Sequence, residues 1–225
     1  MNYLWDEFNI KTFPAETIVF CDGIFQEKIS TTNSLNIDKN YELPVHIIYV
    51  GEIKNENDLH INISTDNQLV FLTVKIENKN PAFLNIFIKN AGKNSEFKAN
   101  ILLNNYSDLN LFEKATHMAE NSIILKSRLI AHKNSKTLLT GFAKINKDIK
   151  NCDSDIGFSV MADPTAKIEF SPAQYISSIP NTANHSASLY KAKQIQIEYL
   201  KESGLLQTEI DKILEEAFIN NNLSF

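Results

Sequence analysis

The chain is poor in cysteine, with only Cys21 and Cys152 among its 225 residues. Two cysteines so far apart form no disulfide framework, and they indicate a reducing compartment. No apolar run approaches the roughly 20 residues that a membrane-spanning helix needs. The opening residues MNYLWDEFNI also lack the basic and apolar regions of a signal peptide. These absences predict a cytoplasmic protein without a membrane partner.

Several catalytic motifs are absent as well. The chain contains neither a G-x-x-x-x-G-K-[ST] loop nor a G-x-G-x-x-G, so the sequence indicates no nucleotide site. It contains no C-x-x-C pair and no G-x-S-x-G elbow. None of its histidines stands at the H-x-x-x-H or H-E-x-x-H spacing of a metal site. The residues therefore predict no self-contained catalytic set, and we do not expect an enzyme.

The charged residues do not predict a nucleic-acid partner. The formal net charge is -5, and the lysines are scattered among carboxylates. Nucleic-acid binding would need lysines and arginines clustered on one face. The hydrophobic fraction of 43% instead supports a sizeable core.

Apolar and polar residues alternate in many short segments, which is the pattern of half-buried strands. The apolar positions in four such runs are Val70, Leu72, Val74 and Ile76; Leu84, Ile86 and Ile88; Ile123, Leu125, Leu129 and Ala131; and Leu139, Ala143 and Ile145. Breaks rich in Asn and Gly recur roughly every dozen residues, the rhythm of a β-sandwich, barrel or solenoid. No exact internal repeat selects among these folds.

Nearer the N-terminus, TIVFCDGIFQEKIS predicts a β-hairpin that turns at Asp22-Gly23. Cys21 lies in its first apolar strand and is expected to be buried. Cys152 lies in the polar loop IKNCDSD and is expected to be exposed. Structural or solvent-exposed positions are expected for His46, His60, His117 and His132.

After about residue 188 the pattern turns helical. Gly204 is a natural C-cap for a first helix. Thr208 is expected to cap the second helix, with Glu209 and Asp211 in its first turn. The apolar stripes are Ile195, Tyr199 and Leu200, and then Ile210, Ile213, Leu214, Ala217 and Phe218. Such a helical hairpin either caps the end of the β-structure or docks a partner, and the two roles are compatible.

The C-terminal third resembles the end of the SufB/SufD family, the scaffold subunits of the Suf iron–sulfur cluster assembly machine. The family pattern is a small-Asp-x-x-Ala turn, a Pro, a His followed by a small residue, a Gln, Tyr-Leu, Gly-Leu and a final acidic helix. In this chain those positions are Ala162-Asp163, Ala166, Pro172, His185, Ala187, Gln196, Tyr199-Leu200, Gly204-Leu205 and Ala217-Phe218. IVFCDGIFQEKIS and PVHIIYV are similar to the opening strands of the SufD core. The two matches bracket the chain, and its middle shares only the strand rhythm.

The resemblance implies a right-handed parallel β-helix core closed by C-terminal helices. It divides the chain into a short segment (1–15), a β-helix core (16–188) and a helical subdomain (189–225). In the family those helices dock SufC, an ABC-type ATPase, and a SufB–SufD pair forms a platform that moves when SufC binds ATP. The expected partners are therefore a SufC-like ATPase and either a SufB-like subunit or a second copy of the chain. The expected contacts to the ATPase are Tyr199, Leu200, Leu205, Ile210 and Ile213.

The resemblance also implies a role for His185. In the family the nascent cluster forms at the SufB–SufD interface, near a SufB cysteine and the SufD histidine of this motif. Carried over, His185 would ligate iron or a transient iron–sulfur cluster shared between subunits, and no tightly bound cofactor is expected. The alternative interpretation of His185 is a structural histidine, with its hydrogen bonds satisfied, at the seam between strands and helices.

Two departures from the family pattern leave a second function open. Many SufD proteins carry a cysteine two residues before this histidine, where this chain has Ala183. The chain is short, and YLWDEF would be the remnant of the usual N-terminal helices. The alternative is a stand-alone β-solenoid binding module that has lost cluster assembly. A β-helix carbohydrate-active enzyme would need carboxylates clustered on adjacent turns, and the middle of the chain has few acids.

Overall fold

The computed structural model describes residues 16–21, 24–30, 34–37, 45–53, 59–65, 69–180, 182–192 and 194–220, which form fourteen strands and then two helices. The strands are β1 (Glu16–Cys21), β2 (Ile24–Ser30), β3 (Ser34–Ile37), β4 (Val45–Ile53), β5 (Leu59–Thr65), β6 (Leu69–Asn78), β7 (Ala82–Asn90), β8 (Ser95–Asn105), β9 (Asp108–His117), β10 (Asn121–Ala131), β11 (Lys136–Ile145), β12 (Asp153–Ala162), β13 (Lys167–Ile176) and β14 (Thr182–Tyr190). The helices are α1 (Gln194–Glu202) and α2 (Gln207–Asn220). The predicted segment 1–15 and the turn at 22–23 lie outside the described residues.

The strands build a β-solenoid from two sheets. One sheet has the order β14-β12-β10-β8-β6-β4-β1-β2, and the other has the order β13-β11-β9-β7-β5-β3. From β3 onward, successive strands alternate between the sheets, and each pairs in parallel with the strand two places along the chain. A chain that returns to the same sheet at every second strand coils as a solenoid. The first strand is different, because β1 pairs antiparallel with β2 and β4, which confirms the predicted hairpin.

The alternating apolar positions form the core of the solenoid, as predicted. Every one of those named in the sequence analysis is buried. Val70 aligns with Phe97 on the next turn, and Phe97 aligns with Ile123 on the turn after that. Because aligned positions of parallel strands point to the same side, each apolar side chain covers the one on the neighbouring turn.

The asparagines that break the strand pattern have two structural roles. Asn94 and Asn134 adopt positive φ angles of 57° and 61° in the turns, a conformation that Asn tolerates better than most residues. At one corner the amide of Asn78 donates to Asn105 Oδ1 at 2.8 Å, and the amide of Asn105 donates to Thr137 Oγ1 at 2.8 Å. These bonds between turns give the buried NH2 groups of both asparagines an acceptor, whereas Asn78 Oδ1 has no hydrogen-bond partner.

The connection between the helices is partly as predicted. Gly204 ends the first helical segment with a φ of 84°, as expected of a C-cap glycine. The predicted N-cap at Thr208 is wrong, because α2 begins at Gln207. The carboxylate of Glu209 instead accepts a hydrogen bond from the N–H of Leu206 at 2.8 Å, which is half of a capping box.

The helical hairpin is anchored through α2. Ile210, Leu214 and Phe218 are 0%, 8% and 3% exposed. The ring of Phe218 lies 5.7 Å from that of Tyr190 at the end of β14, measured between centroids. By contrast, α1 buries no residue. Within the part of the chain that the structure describes, no helix has the length and apolar character that crossing a membrane requires.

Candidate functional site

The solenoid ends in an exposed turn formed by β13 and β14, which we call the terminal turn (residues 167–190). In the described residues, β14 pairs only with β12, and β13 pairs only with β11. Seven of the nine residues of β14 are exposed, whereas β12 beside it is largely buried. The strand also continues to Tyr190, past the predicted core boundary at residue 188. Edge strands of this kind present backbone groups to another chain.

His185 lies in the middle of β14, on the side that continues the core. Its aligned partner on β12 is Ile156, which is 2% exposed. Aligned positions of parallel strands point to the same side. His185 therefore stands where the next buried layer of the solenoid would begin, and its side chain is exposed. Ala183 occupies the same side of the strand, two residues earlier.

The residues around His185 do not by themselves make a metal site. Among the residues that the structure describes, no group of three or more His, Cys, Asp or Glu side chains is placed to hold a metal ion. His185 offers one imidazole, and the methyl group of Ala183 offers no ligand. Iron–sulfur clusters are held by several thiolate or imidazole ligands. A cluster at His185 would therefore take its remaining ligands from a second chain.

Four large apolar side chains of the hairpin point to solvent, and we call them the hairpin apolar face. They are Ile195, Tyr199, Leu206 and Ile213, which are 73%, 69%, 68% and 39% exposed. Groups of exposed apolar side chains on a protein surface mark interaction sites more often than single ones do. The hairpin thus combines side chains that pack on the protein, those of Ile210, Leu214 and Phe218, with four that remain exposed.

The five predicted partner contacts fall on different sides of the hairpin. Tyr199 and Ile213 belong to the hairpin apolar face. Leu200 and Leu205 are half-buried. Ile210 is completely buried, so it anchors α2 and is not on the surface that a partner would meet. The sequence places Ile210 and Ile213 in the same apolar stripe, and only the packing of α2 shows that the first is buried and the second is exposed.

A cleft of about 940 Å³ lies between the hairpin and the last turns of the solenoid. At its edge the rings of Tyr106 and His132 stack with centroids 3.8 Å apart. His132 Nδ1 lies 4.0 Å from Glu215 Oε1 on α2. Burial lowers the pKa of His132 and raises the pKa of Glu215, so both shifts favour the neutral forms. A strong ion pair between His132 and Glu215 is therefore not favoured at this contact.

The buried carboxyl group of Glu113 is a feature that sequence reasoning missed. This residue is 0% exposed on β9, and its Oε1 accepts a hydrogen bond from the Ser127 hydroxyl on β10. Burial raises the pKa of Glu113 to about 8, although the hydrogen bond from Ser127 acts in the opposite direction. A signal was present, because the alternation of Leu109, Leu111 and Ala115 on β9 places Glu113 at an inward position.

The prediction that Cys152 is exposed is wrong. Its side chain is buried, and its thiol donates to the carbonyl of Ala119 at 3.5 Å, because the residue points into a corner of the solenoid. Burial raises the pKa of the Cys152 thiol, which makes a reactive thiolate less accessible. His117 is buried with its Nδ1 2.7 Å from Asn121 Oδ1, in keeping with its predicted structural role, and His60 is half-buried.

In comparisons with known proteins, no protein-family model and no curated protein matches the chain. The fold and the two surfaces define its class without them. It is a two-sheeted β-solenoid with an exposed terminal turn and a helical hairpin that carries several exposed apolar side chains.

Proposed function

We propose that this protein is a SufD-like scaffold subunit of iron–sulfur cluster assembly. Its C-terminal helices dock a SufC-like ABC ATPase, and its terminal turn pairs with a SufB-like subunit or with a second copy of the chain. The chain performs no catalysis itself; it transmits the motion of the ATPase to the paired scaffold. The proposal rests on the sequence resemblance and, among structural observations, on the hairpin apolar face.

The hairpin apolar face supports docking because its exposure is costly for an isolated protein. Ile195 and Tyr199 lie four residues apart on α1, so they share one side of a helix that buries nothing within this chain. A partner that covers a large apolar side chain gains about 1.5–3 kcal/mol for each one fully buried. Ile210 and Phe218 are buried and anchor α2, while Ile195 and Tyr199 on α1 remain exposed to a partner.

The terminal turn supports pairing with another subunit. The edges of β13 and β14 lie side by side, and a partner strand could extend either sheet. His185 would then be covered at the junction, and its imidazole would be one ligand to iron or to a nascent cluster in transit. The partner would supply the thiolates that Ala183 cannot provide.

The docking part of the proposal is tested by co-expressing the chain with the SufC-like ATPase of the same organism. The wild-type pair is expected to co-elute from a size-exclusion column. A double variant with Ile195→Asp and Tyr199→Asp should lose the complex, because docking would bury two carboxylates without partners. The matched control is Lys201→Asp, which places the same charge on the exposed polar side of α1. The control should still co-elute.

Two outcomes would count against this function. A folded wild-type chain that forms no complex with the ATPase would remove the docking claim. A double variant that binds as well as wild type would move the contact away from the hairpin apolar face.

The second candidate is a stand-alone β-solenoid interaction module that no longer takes part in cluster assembly. Ala183 favours it, because the thiol that would accompany His185 is missing. This candidate predicts that His185→Ala leaves cluster assembly by the Suf system unchanged, whereas the scaffold function predicts a loss. Reconstitution of an apo-ferredoxin, followed by its visible absorbance, distinguishes the two.

A further inference from the structure

A groove of about 440 Å³ crosses the outer face of the eight-stranded sheet. It is separate from the hairpin and from the side of the terminal turn that faces the core. It runs over β8, β10, β12 and β14. In the strand register, Lys126, Gly157 and Ser186 are direct neighbours across three of these strands. Since aligned residues point to the same side, these three positions form one row on the floor of the groove.

Gly157 leaves room at the centre of that row. A Cβ atom at this position would lie 2.8 Å from Ser186 Oγ and 3.0 Å from Lys126 Nζ. The Lys126 ammonium group and the Ser186 hydroxyl therefore both lie close to the point that the Cβ atom of any other residue would occupy. Glycine inside a strand weakens the strand, and it often marks a place where a ligand approaches the backbone closely.

The groove carries a positive charge in a protein that is negative overall. Among the described residues, its charged lining consists of three cations, Lys98, Lys126 and Arg128, and two carboxylates, Glu96 and Asp155. The formal net charge of the whole chain is -5. Lys98 pairs with Glu96 at 3.0 Å, and Lys126 pairs with Asp155 at 2.7 Å. A ligand that displaces Asp155 must therefore carry more negative charge than one carboxylate.

Two of the cations are spaced to hold one oxyanion. Lys126 and Arg128 alternate with an inward residue on β10, so they share a face about 6.6 Å apart along the strand. Arg128 is 6% exposed, and its Nη1 donates to Asn100 Oδ1 at 3.3 Å, which fixes the guanidinium beside the groove. Ser159, aligned with Arg128 on β12, adds a hydroxyl at the same level.

We propose that this groove binds the phosphate group of a small phosphorylated molecule. The phosphate lies between Lys126 and Arg128 and above Gly157, where the hydroxyls of Ser159 and Ser186 contact its oxygens. A phosphate monoester carries a charge of about -1.5 to -2 at neutral pH, enough to compete with Asp155 for Lys126. The groove is larger than a phosphate ion and falls in the size range of small-molecule sites, about 300–1,000 Å³. The organic part of the ligand occupies the remaining length.

Isothermal titration calorimetry on the full chain tests the proposal with glucose 6-phosphate, inorganic phosphate and glucose as separate probes. Glucose 6-phosphate is expected to bind saturably and more tightly than inorganic phosphate, and glucose is expected not to bind. Lys126→Met should weaken the binding of glucose 6-phosphate at least about tenfold by removing a charge-assisted hydrogen bond. Gly157→Ala keeps every charge but fills the floor, and it should weaken binding to a similar degree.

The matched control is Lys144→Met, which removes a half-buried lysine from β11 on the other sheet. It should bind as wild type does, and far-UV circular dichroism should show the same fold for all three variants. The proposal is overturned if the wild type binds neither phosphate probe saturably, or if folded Lys126→Met and Gly157→Ala proteins bind as tightly as wild type. Equal affinity for inorganic phosphate and glucose 6-phosphate would refute recognition of an organic ligand.

Discussion

The hydroxyl of Ser127 donates a hydrogen bond to Oε1 of Glu113, so side chains from the two opposite sheets meet inside the solenoid. Ser127 is 3% exposed and Glu113 is 0% exposed. The second carboxyl oxygen, Oε2, has no hydrogen-bond partner. An ionised carboxylate would be costly in this environment. Burial therefore favours the neutral acid at Glu113 at neutral pH.

This burial makes the stability of the protein depend on pH. The pKa of Glu113 rises from 4.5 to about 8 on folding. Between these values the folded state keeps a proton that the unfolded chain has released. The free energy of unfolding should therefore fall as the pH rises through this window, by up to about 1.4 kcal/mol per pH unit, and level off above it. Urea unfolding at a series of pH values measures this slope.

The variant Glu113→Gln isolates the contribution of this group. Its amide oxygen can still accept the Ser127 hydrogen bond, but it cannot ionise, so the slope between pH 4.5 and 8 should become flatter. Glu169→Gln is the control, because Glu169 is exposed on β13. It should leave the slope unchanged. If the stability of the Glu113→Gln protein depended on pH as the wild type's does, this carboxyl group would not be the source of the pH dependence.

The interruptions in the apolar pattern mark the unusual part of the core. The alternation that predicted β10 and β11 skips one inward position in each strand, and these positions are Ser127 and Gly141. Gly141 is aligned with Glu113 on the neighbouring strand. Periodicity predicts strands because it depends on which side of each strand is apolar. It does not reveal which polar residue from the opposite sheet fills an interruption.

Other features were beyond the reach of sequence because they depend on three-dimensional packing. The solenoid could not be chosen over a sandwich or barrel from the residues alone, since all three give the same alternation. Cys152 looks exposed because its loop is polar, but the turn directs its side chain into a corner. Ile210 and Ile213 look equivalent in an apolar stripe, and only the position of α2 buries the first and exposes the second.

Gly141 should not tolerate a side chain. A Cβ atom there would lie 2.8 Å from Ile156 Cγ2 and 3.0 Å from the ring of Phe158, both in the packed core. Gly141→Ala is expected to lower the free energy of unfolding by about 1–3 kcal/mol through overpacking. Chemical denaturation measures the loss, with Thr140→Ala on the outer face of the same strand as the control. Equal stability of the two variants would mean that the core has room at Gly141.

The hairpin should be separable from the solenoid in stability. Phe218 is 3% exposed and packs beside Tyr190, whereas α1 has no buried residue to hold the hairpin. Phe218→Ala should therefore speed amide hydrogen exchange in α1 and α2 and leave β8, β10 and β12 protected. Lys212→Ala is the control, because the Lys212 side chain is 77% exposed. A uniform loss of protection in the Phe218 variant would show instead that hairpin and solenoid unfold together.

The terminal turn should mediate pairing, and Ile179 offers the most direct test of that part of the proposed function. Ile179 is 86% exposed in the connection between β13 and β14. If pairing covers it, Ile179→Asp replaces buried apolar surface with a carboxylate and should raise the dissociation constant at least about tenfold, or about 1.4 kcal/mol. Sedimentation velocity measures this dissociation constant for the chain alone and for its mixture with the SufB-like subunit.

Ser177→Asp introduces the same charge at another exposed position of the turn and serves as the control. A wild-type chain that stays monomeric in both samples would contradict pairing, and equal weakening by both variants would point to charge rather than to contact at Ile179.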